Sequence, residues 1–566
     1  MKASIRTLIL LKCFILLFPL CLSASPRQGQ DLILPGHWVY DALHRLELET
    51  KTLTFSDIAP LSIQEFKSYF SMIDYEKLSE PGKKEYERIE SFLSERKLSL
   101  DAGIFSACFE PVLNPEFYLS SDMDKTKETA IPYMYDYTKR KALIDLPVSL
   151  ALGDYLSVYM GLQVKQTRLA MEEPATFFND VFGLTRFDLV LTHDNYLSAG
   201  YKWDNGVGIN LRFGINSQVF GYTSLPSGVW SEYLTDTPNI NLRVYSPFLC
   251  YNFNITEFTR DSYLYTHQFD LRFWKFFEIS FIEGVFAYNT FDLRFANPFA
   301  IYHGLGLFKI YDNEVKVNSL FSLKANIVPV ENMRIYLLWT QNEHQMGSEL
   351  SDPSAAQTPE GFGAQAGIEY NIPLKKGYLH LGTEAYYASP FLYIKDSPML
   401  SFAKVYTENL TDASNHYYQW LGSPLGPDSL AFQVSAGYEE PGKWALDLIY
   451  NFQAKGEFGG DYALKNSGWN YYTNTISDTP EKIWPYYYDN KRNYITPTGI
   501  PEYVNAITIR GSVCPVYWLT VTAQPSYIFV NNFNHEAGNN RQGFQFALST
   551  RIDLTKVFVQ NKLLKN

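Results

Sequence analysis

A few short stretches of this chain carry side chains able to bind or react. Glu343-His344, followed by Glu349, sets two carboxylates around an imidazole, a group that could hold a metal or move a proton. A polar loop supplies the same residues routinely, and a loop is expected after the strand-like residues 334–339. Trp484, Tyr486, Tyr487 and Tyr488 fall together in a long polar segment. Their rings could stack on pyranose faces while the hydroxyls bond sugar oxygens, although the aromatic girdles of a membrane barrel recruit the same residues. Asn297 precedes Pro298; its amide could donate and accept toward sugar hydroxyls, and Asn-Pro is also a common strand terminator. Asp428 ends a stretch with Gly422, Pro424, Gly426 and Pro427, where it either satisfies loop N–H groups or faces a ligand.

Nothing stronger than these stretches points to chemistry. HExxH, GxxxxGK[ST] and GxGxxG are absent, and the Ser, His and Asp residues are too scattered to nominate a triad. No catalytic residue, metal site or cofactor is therefore assigned, and an enzyme is not expected.

The elements that must position these residues begin after an export signal. Lys2, Arg6 and Lys12 precede the apolar residues 14–20, and Ser23, Ala24 and Ser25 follow, which is signal-peptide layout over residues 1–25. Leu20 before Cys21 is too large for a lipidation signal, so cleavage near Ser23 or Ser25 is expected. Removal leaves 45 basic against 60 acidic residues, a net charge of −15 that excludes nucleic acid as a partner. Cys108, Cys250 and Cys514 then remain, odd in number and far apart, so no disulfide framework is implied. No apolar run of about 18 residues follows the signal, so helical membrane spans are excluded. Aromatic residues make up 16% of the chain, which fits the interfacial girdles of a barrel better than an ordinary soluble domain.

Residues 26–100 carry a helical period. Trp38, Ala42 and Leu46 recur at spacing four beside Val39 and Leu43, forming one apolar stripe. Ser62 and Glu65 make a capping box ahead of Ile63, Phe66, Phe70 and Ile73. A third stripe runs through Tyr86, Ile89, Phe92 and Leu93. A bundle of this size is at the lower edge of independent stability, so it is expected to lean on the rest of the protein.

From residue 101 to the end the period is two. Residues 195–203, then Asn205-Gly206, then 207–215 form strand, tight turn and strand, and residues 149–164 and 268–276 alternate in the same way. In the last such stretch Phe544, Phe546, Leu548, Thr550 and Ile552 share one face while Gln545, Ser549 and Arg551 share the other, the apolar-out, polar-in pattern of a strand facing lipid. Long polar segments at 346–360, 397–416 and 455–501 are expected to be external loops. The fold class is thus an all-β transmembrane antiparallel barrel of about 16–18 strands behind a small helical domain, in the outer membrane.

Four segments resemble the Wzi capsule-assembly family of outer-membrane proteins. The opening Pro35-Gly-His-Trp-Val-Tyr-Asp-Ala-Leu-His-Arg-Leu is similar to the family's entry motif, and Phe291-Asp-Leu-Arg-Phe-Ala-Asn-Pro-Phe to its mid-barrel Asn-Pro strand. Glu384-Ala-Tyr-Tyr-Ala-Ser-Pro-Phe-Leu-Tyr resembles a strand ending in Ser-Pro-aromatic, and Trp420-Leu-Gly-Ser-Pro-Leu-Gly-Pro-Asp-Ser resembles the family's Gly-x-Pro-Leu-Gly-Pro-Asp turn. The resemblance implies eighteen strands, a periplasmic helical domain, and a surface lectin that holds capsular or other exopolysaccharide. A porin or transporter, and an outer-membrane hydrolase, stay open as alternatives. The partners expected are a surface polysaccharide and outer-membrane lipid.

Overall fold

The computed structural model describes residues 23–94, 97–121, 141–165, 188–235, 237–259, 261–300, 302, 317–343, 360–394, 400–409, 412–459 and 495–563. The expected signal segment lies outside them, apart from its last three residues. Eighteen antiparallel strands close into one cylinder. They are β1 Glu116–Ser120, β2 Ile144–Leu152, β3 Leu156–Lys165, β4 Asp188–Lys202, β5 Gly208–Ile215, β6 Pro238–Tyr245, β7 Leu249–Thr259, β8 Ser262–Phe273 and β9 Phe277–Ala287. The second half comprises β10 Val317–Ile327, β11 Met333–Glu343, β12 Gly361–Pro373, β13 Tyr378–Ala388, β14 Ser429–Glu440, β15 Trp444–Lys455, β16 Glu502–Val516, β17 Leu519–Asn531 and β18 Arg541–Asp553.

The seam forms where β18 pairs with β1 and Val112–Leu113 links the end of β18 to the start of β2. Pro111 and Pro115 lack the N–H a continuous ladder needs, so the seam strand is broken into short pieces.

Alternation along each strand sorts the two faces. On β18 Phe544 is exposed while Gln545 and Ser549 are buried inside, as the sequence pattern requires. Leu211 and Phe213 on β5, Ile335 and Leu337 on β11, and Ile507 and Ile509 on β16 point outward in the same way. Exposed Tyr155, Tyr201, Trp203, Phe273 and Trp274 cluster near the tight turns at one end, forming a girdle. That turn end includes the Asn205-Gly206 turn, where Gly206 takes φ 86°. The opposite, loop end carries the long connections after β3, β5, β9, β11, β13 and β15.

Two expectations change. The single alternation over residues 149–164 is a hairpin, because Gly153 adopts φ 51° and turns β2 into β3. Residues 291–299 are not a strand: after β9 the chain passes through Asn289 at φ 55° into successive turns, and Pro298 has no N–H to give a ladder.

The helical region forms α1 Trp38–Thr50, α2 Ile63–Phe70 and α3 Glu80–Ser94. His37 caps α1 by accepting from the Val39 N–H, and Lys51 ends it in the left-handed conformation. Ser62 accepts from the Glu65 N–H, the first half of the expected capping box. Glu65 does not return to Ser62; its carboxylate accepts from the Tyr69 hydroxyl instead. Val39, Ala42, Leu43 and Leu46 are fully buried, each large apolar side chain contributing about 1.5–3 kcal/mol. Trp38 is half-buried at the edge of this core, with Phe92 edge-on and the Arg88 guanidinium over its face.

Candidate functional site: a filled lumen

The inward face of the barrel is polar, and the N-terminal segment is what it binds. On β6 Arg243 meets Glu65 of α2 at 2.8 Å and donates to the Ile58 carbonyl. On β5 Arg212 donates to the Pro60 carbonyl and Asn210 to Gln30. Lys324 on β10 lies 2.6 Å from Asp57 and 2.7 Å from Glu278 on β9, and Asn326 donates to the same Asp57. On β12 Glu369 accepts from Arg334 at 2.7 Å and pairs with His44 of α1 at 2.6 Å. The Tyr378 hydroxyl on β13 donates to Glu49, and Arg45 reaches Glu439 on β14. These contacts come from strands around much of the cylinder, so residues 30–65 are held inside it. Helical charges that alone would form solvated faces are here the buried complements of the wall.

Loops close the other end. Residues 219–235 fold inward from the loop end, and Val219–Phe220 pairs with Ile58–Ala59 of the N-terminal segment. Glu384 on β13 accepts from the Ser224 and Leu225 N–H groups, and Gln365 on β12 from that of Gly228. The connection after β13 covers this loop: Tyr393 donates to the Gly228 carbonyl, and the Ser231 N–H donates to Leu421. One buried apolar cluster runs from Val39 and Phe66 through Phe220 and Trp230 to Tyr393 and Leu421. The lumen is thus filled by the chain itself from both ends.

The candidate residues fall apart from one another. Asp428 is fully buried at φ 54°, and its carboxylate accepts from the Thr498 N–H and hydroxyl, tying the base of the connection after β15 to that after β13. Burial pushes its carboxyl above the usual range, against the pull of Thr498 and Lys455. Asn297 is exposed in the turns after β9, and its side chain accepts from the Phe299 N–H. Trp484, Tyr486, Tyr487 and Tyr488 lie outside the described residues, as do His344 and Glu349. Among the described residues no group of three His, Cys, Asp or Glu side chains is placed to hold a metal. Cys108 and Cys250 are buried and Cys514 is partly exposed.

No family profile and no curated protein matches the sequence. The fold does match solved structures. Wzi of Escherichia coli, an outer-membrane protein involved in group 1 capsule assembly and described as a carbohydrate-binding β-barrel, superposes with a TM-score of 0.53 at 12% identity, over 92% of this chain and 98% of that one. This chain is an outer-membrane barrel. The barrel also aligns with OccD1 (OprD) at a TM-score of 0.38, 9% identity and 79% of this chain against 94% of that one. The outer-membrane channel DcaP of Acinetobacter baumannii aligns at 0.34 and 9%, over 80% and 98% of the two chains. What the barrel shares with Wzi at this identity is architecture.

Sequence reasoning missed the residues that fill the lumen. Their signal was present as inward Arg and Lys on strands and acidic residues in the helical region, but the pairing crosses as many as 394 residues, from Arg45 to Glu439.

Proposed function

We propose that this barrel holds surface polysaccharide at the cell exterior and does not act as a pore. The single observation that carries the reading is the filled lumen: a chain whose interior is occupied by buried ion pairs and a continuous apolar cluster has its working surface on the loops. The similarity in fold to a carbohydrate-binding barrel supports it. In this reading the tight turns face the periplasm, as in other barrels of the outer membrane, with the N-terminal segment filling the lumen, and the long connections face outward. Glycan contact falls to aromatic rings in the connection after β15, including Trp484, Tyr486, Tyr487 and Tyr488. A net charge of −15 repels an acidic glycan at long range, but that repulsion fades within about 8 Å at physiological salt, whereas stacked rings act at contact.

The test is a comparison of three cell populations. Deletion of the protein is expected to shed surface glycan into the medium, and replacing the four rings by Ala is expected to do the same while the barrel still assembles. Retention of glycan by the ring variant, with loss on deletion, moves the binding surface elsewhere. Loss of small-solute uptake on deletion, with the glycan coat intact, replaces this reading with a porin.

A further inference from the structure

The turns after β9 do not rise away from the barrel as an external loop would; they lie against its outer wall. Phe253 and Ile255 on β7, Tyr265 and His267 on β8, and Val285 and Ala287 on β9 occupy outward positions in strand alternation, in step with exposed Phe269 and Phe281. All six are nonetheless buried; five pack with Phe295 and Tyr302 in a cluster separate from the lumenal core, and the His267 ring lies 4.7 Å from that of Tyr302.

Height along the wall places this cover in the membrane. His267 lies six residues along β8 from the exposed girdle residue Phe273, about 15 Å along the barrel axis for a tilted strand, within an apolar belt about 25 Å tall. At that level the wall is unusually polar for a lipid face. His267 stands directly opposite Glu283, and Tyr251 on β7 is bonded to His267 Nδ1 at 2.7 Å.

Irregular backbone is tolerated at membrane depth only where its polar groups find partners. Here the wall supplies them. The Tyr265 hydroxyl accepts from the Asp292 N–H at 2.9 Å, and the Tyr251 hydroxyl donates to the Pro298 carbonyl. Tyr302 donates to the Phe295 carbonyl, and the turns bond themselves through Phe295 N–H to Asp292 and Ala300 N–H to Asn297. Because Tyr251 gives its one proton to Pro298, it accepts from His267, which fixes the imidazole tautomer. The outer edge of the cover carries three large apolar side chains, Phe291, Leu293 and Phe299, 48%, 75% and 87% exposed, beside the exposed Arg294, whose charge is paired with Asp292, and Asn297.

We propose that residues 291–300 with Tyr302 form a lipid-facing flap that replaces outer-leaflet acyl chains over the His267–Glu283 pair and, through Phe291, Leu293 and Phe299, binds acyl chains on its own outer edge. The occupant is lipid because the flap's rim continues the exposed belt of Phe269 and Phe281 on the same strands. Charged and imidazole groups facing hydrocarbon are costly, and the flap removes that contact while restoring an apolar surface.

Nitroxide labels on Leu293→Cys and Phe299→Cys, in a Cys514→Ser background and in phosphatidylcholine vesicles, test this. The ratio of oxygen to aqueous nickel accessibility is expected to match that of a label at Phe281 and to stand well above that of a label at the Asn205 turn. A ratio equal to that at Asn205 puts the flap in water and overturns the proposal. Spin–spin broadening that vanishes on dilution with unlabelled protein also overturns it, by assigning the face to a second copy. Should the variants fail to assemble, the unsubstituted chain labelled with a diazirine-bearing phosphatidylcholine decides. Adducts on residues 291–299 support the flap; adducts on Phe269 and Phe281 with none on 291–299 refute it.

Discussion

Lys324 on the barrel wall and Asp57 in the N-terminal segment meet at 2.6 Å with both side chains more than nine-tenths buried, and Glu278 completes the group on the other side of the ammonium. Removing the cation would leave two carboxylates unpaired away from water. Lys324→Ala is therefore expected to weaken docking of the N-terminal segment by about 3–5 kcal/mol. The measurement is protease cleavage within residues 26–94 of the detergent-solubilised barrel as temperature rises. Cleavage identical to the unsubstituted chain would mean that the pair does not hold the segment.

A lumen filled from both ends should not conduct. In planar bilayers the full chain is expected to give no stepwise current, and steady single-channel openings would show that the lumenal segment leaves the barrel under those conditions.

His37 provides a pH dependence. Burial, reinforced by the Arg27 and Arg551 charges, pushes its imidazole down to about 3 from an ordinary value near 6.5. The folded state thus keeps His37 neutral while the released segment takes up a proton, so docking weakens as pH falls from about 6.5 toward about 3 and is unaffected above that window. His37→Asn retains a capping acceptor and is expected to flatten the protease-sensitivity profile between pH 7 and pH 4. An unchanged profile assigns the dependence to another group.

Trp38 and Leu43 share α1 but not the same burial. Leu43→Ala removes a fully buried side chain and is expected to cost about 2–5 kcal/mol, whereas Trp38→Ala, at the core edge beneath Arg88, should cost less. Melting of the two variants, followed by protease sensitivity of α1, checks the order; the reverse order would mean that Trp38 is the deeper anchor.

Asp428→Ala strips the acceptor from the Thr498 N–H and hydroxyl and is expected to loosen the base of the connection after β15 by about 1–3 kcal/mol. The outcome to look for is faster proteolysis after residue 456 with β-structure retained by circular dichroism. Loss of the barrel itself would give Asp428 a wider role.

The wall of this protein was legible because membrane strands obey one rule, apolar out and polar in, and Phe544 and Gln545 state it within two residues. Turns with a chemical signature, such as Asn205-Gly206, were legible for the same local reason. The three helices could be read from their period, but not their destination: a stripe such as Val39, Leu43 and Leu46 says that something is buried, while the polar partners Arg243, Lys324 and Glu369 lie hundreds of residues away. Residues 291–299 resemble the Asn-Pro strand of the Wzi family, but the positive φ at Asn289 and the missing N–H of Pro298 accompany turns there instead.

The lumenal ion pairs also set a timetable for assembly. Asp57 is made and exported 267 residues before its partner Lys324, so the leading segment crosses the periplasm with its carboxylates uncompensated. Contacts of such long sequence separation form late and slowly. The ion pairs of the lumen can form only once the leading segment lies inside the wall, and the seam pieces on either side of Pro111 and Pro115 carry few ladder bonds. Filling the lumen and completing the wall are thus coupled, because each partner of a pair such as Asp57 and Lys324 belongs to a different part of the chain.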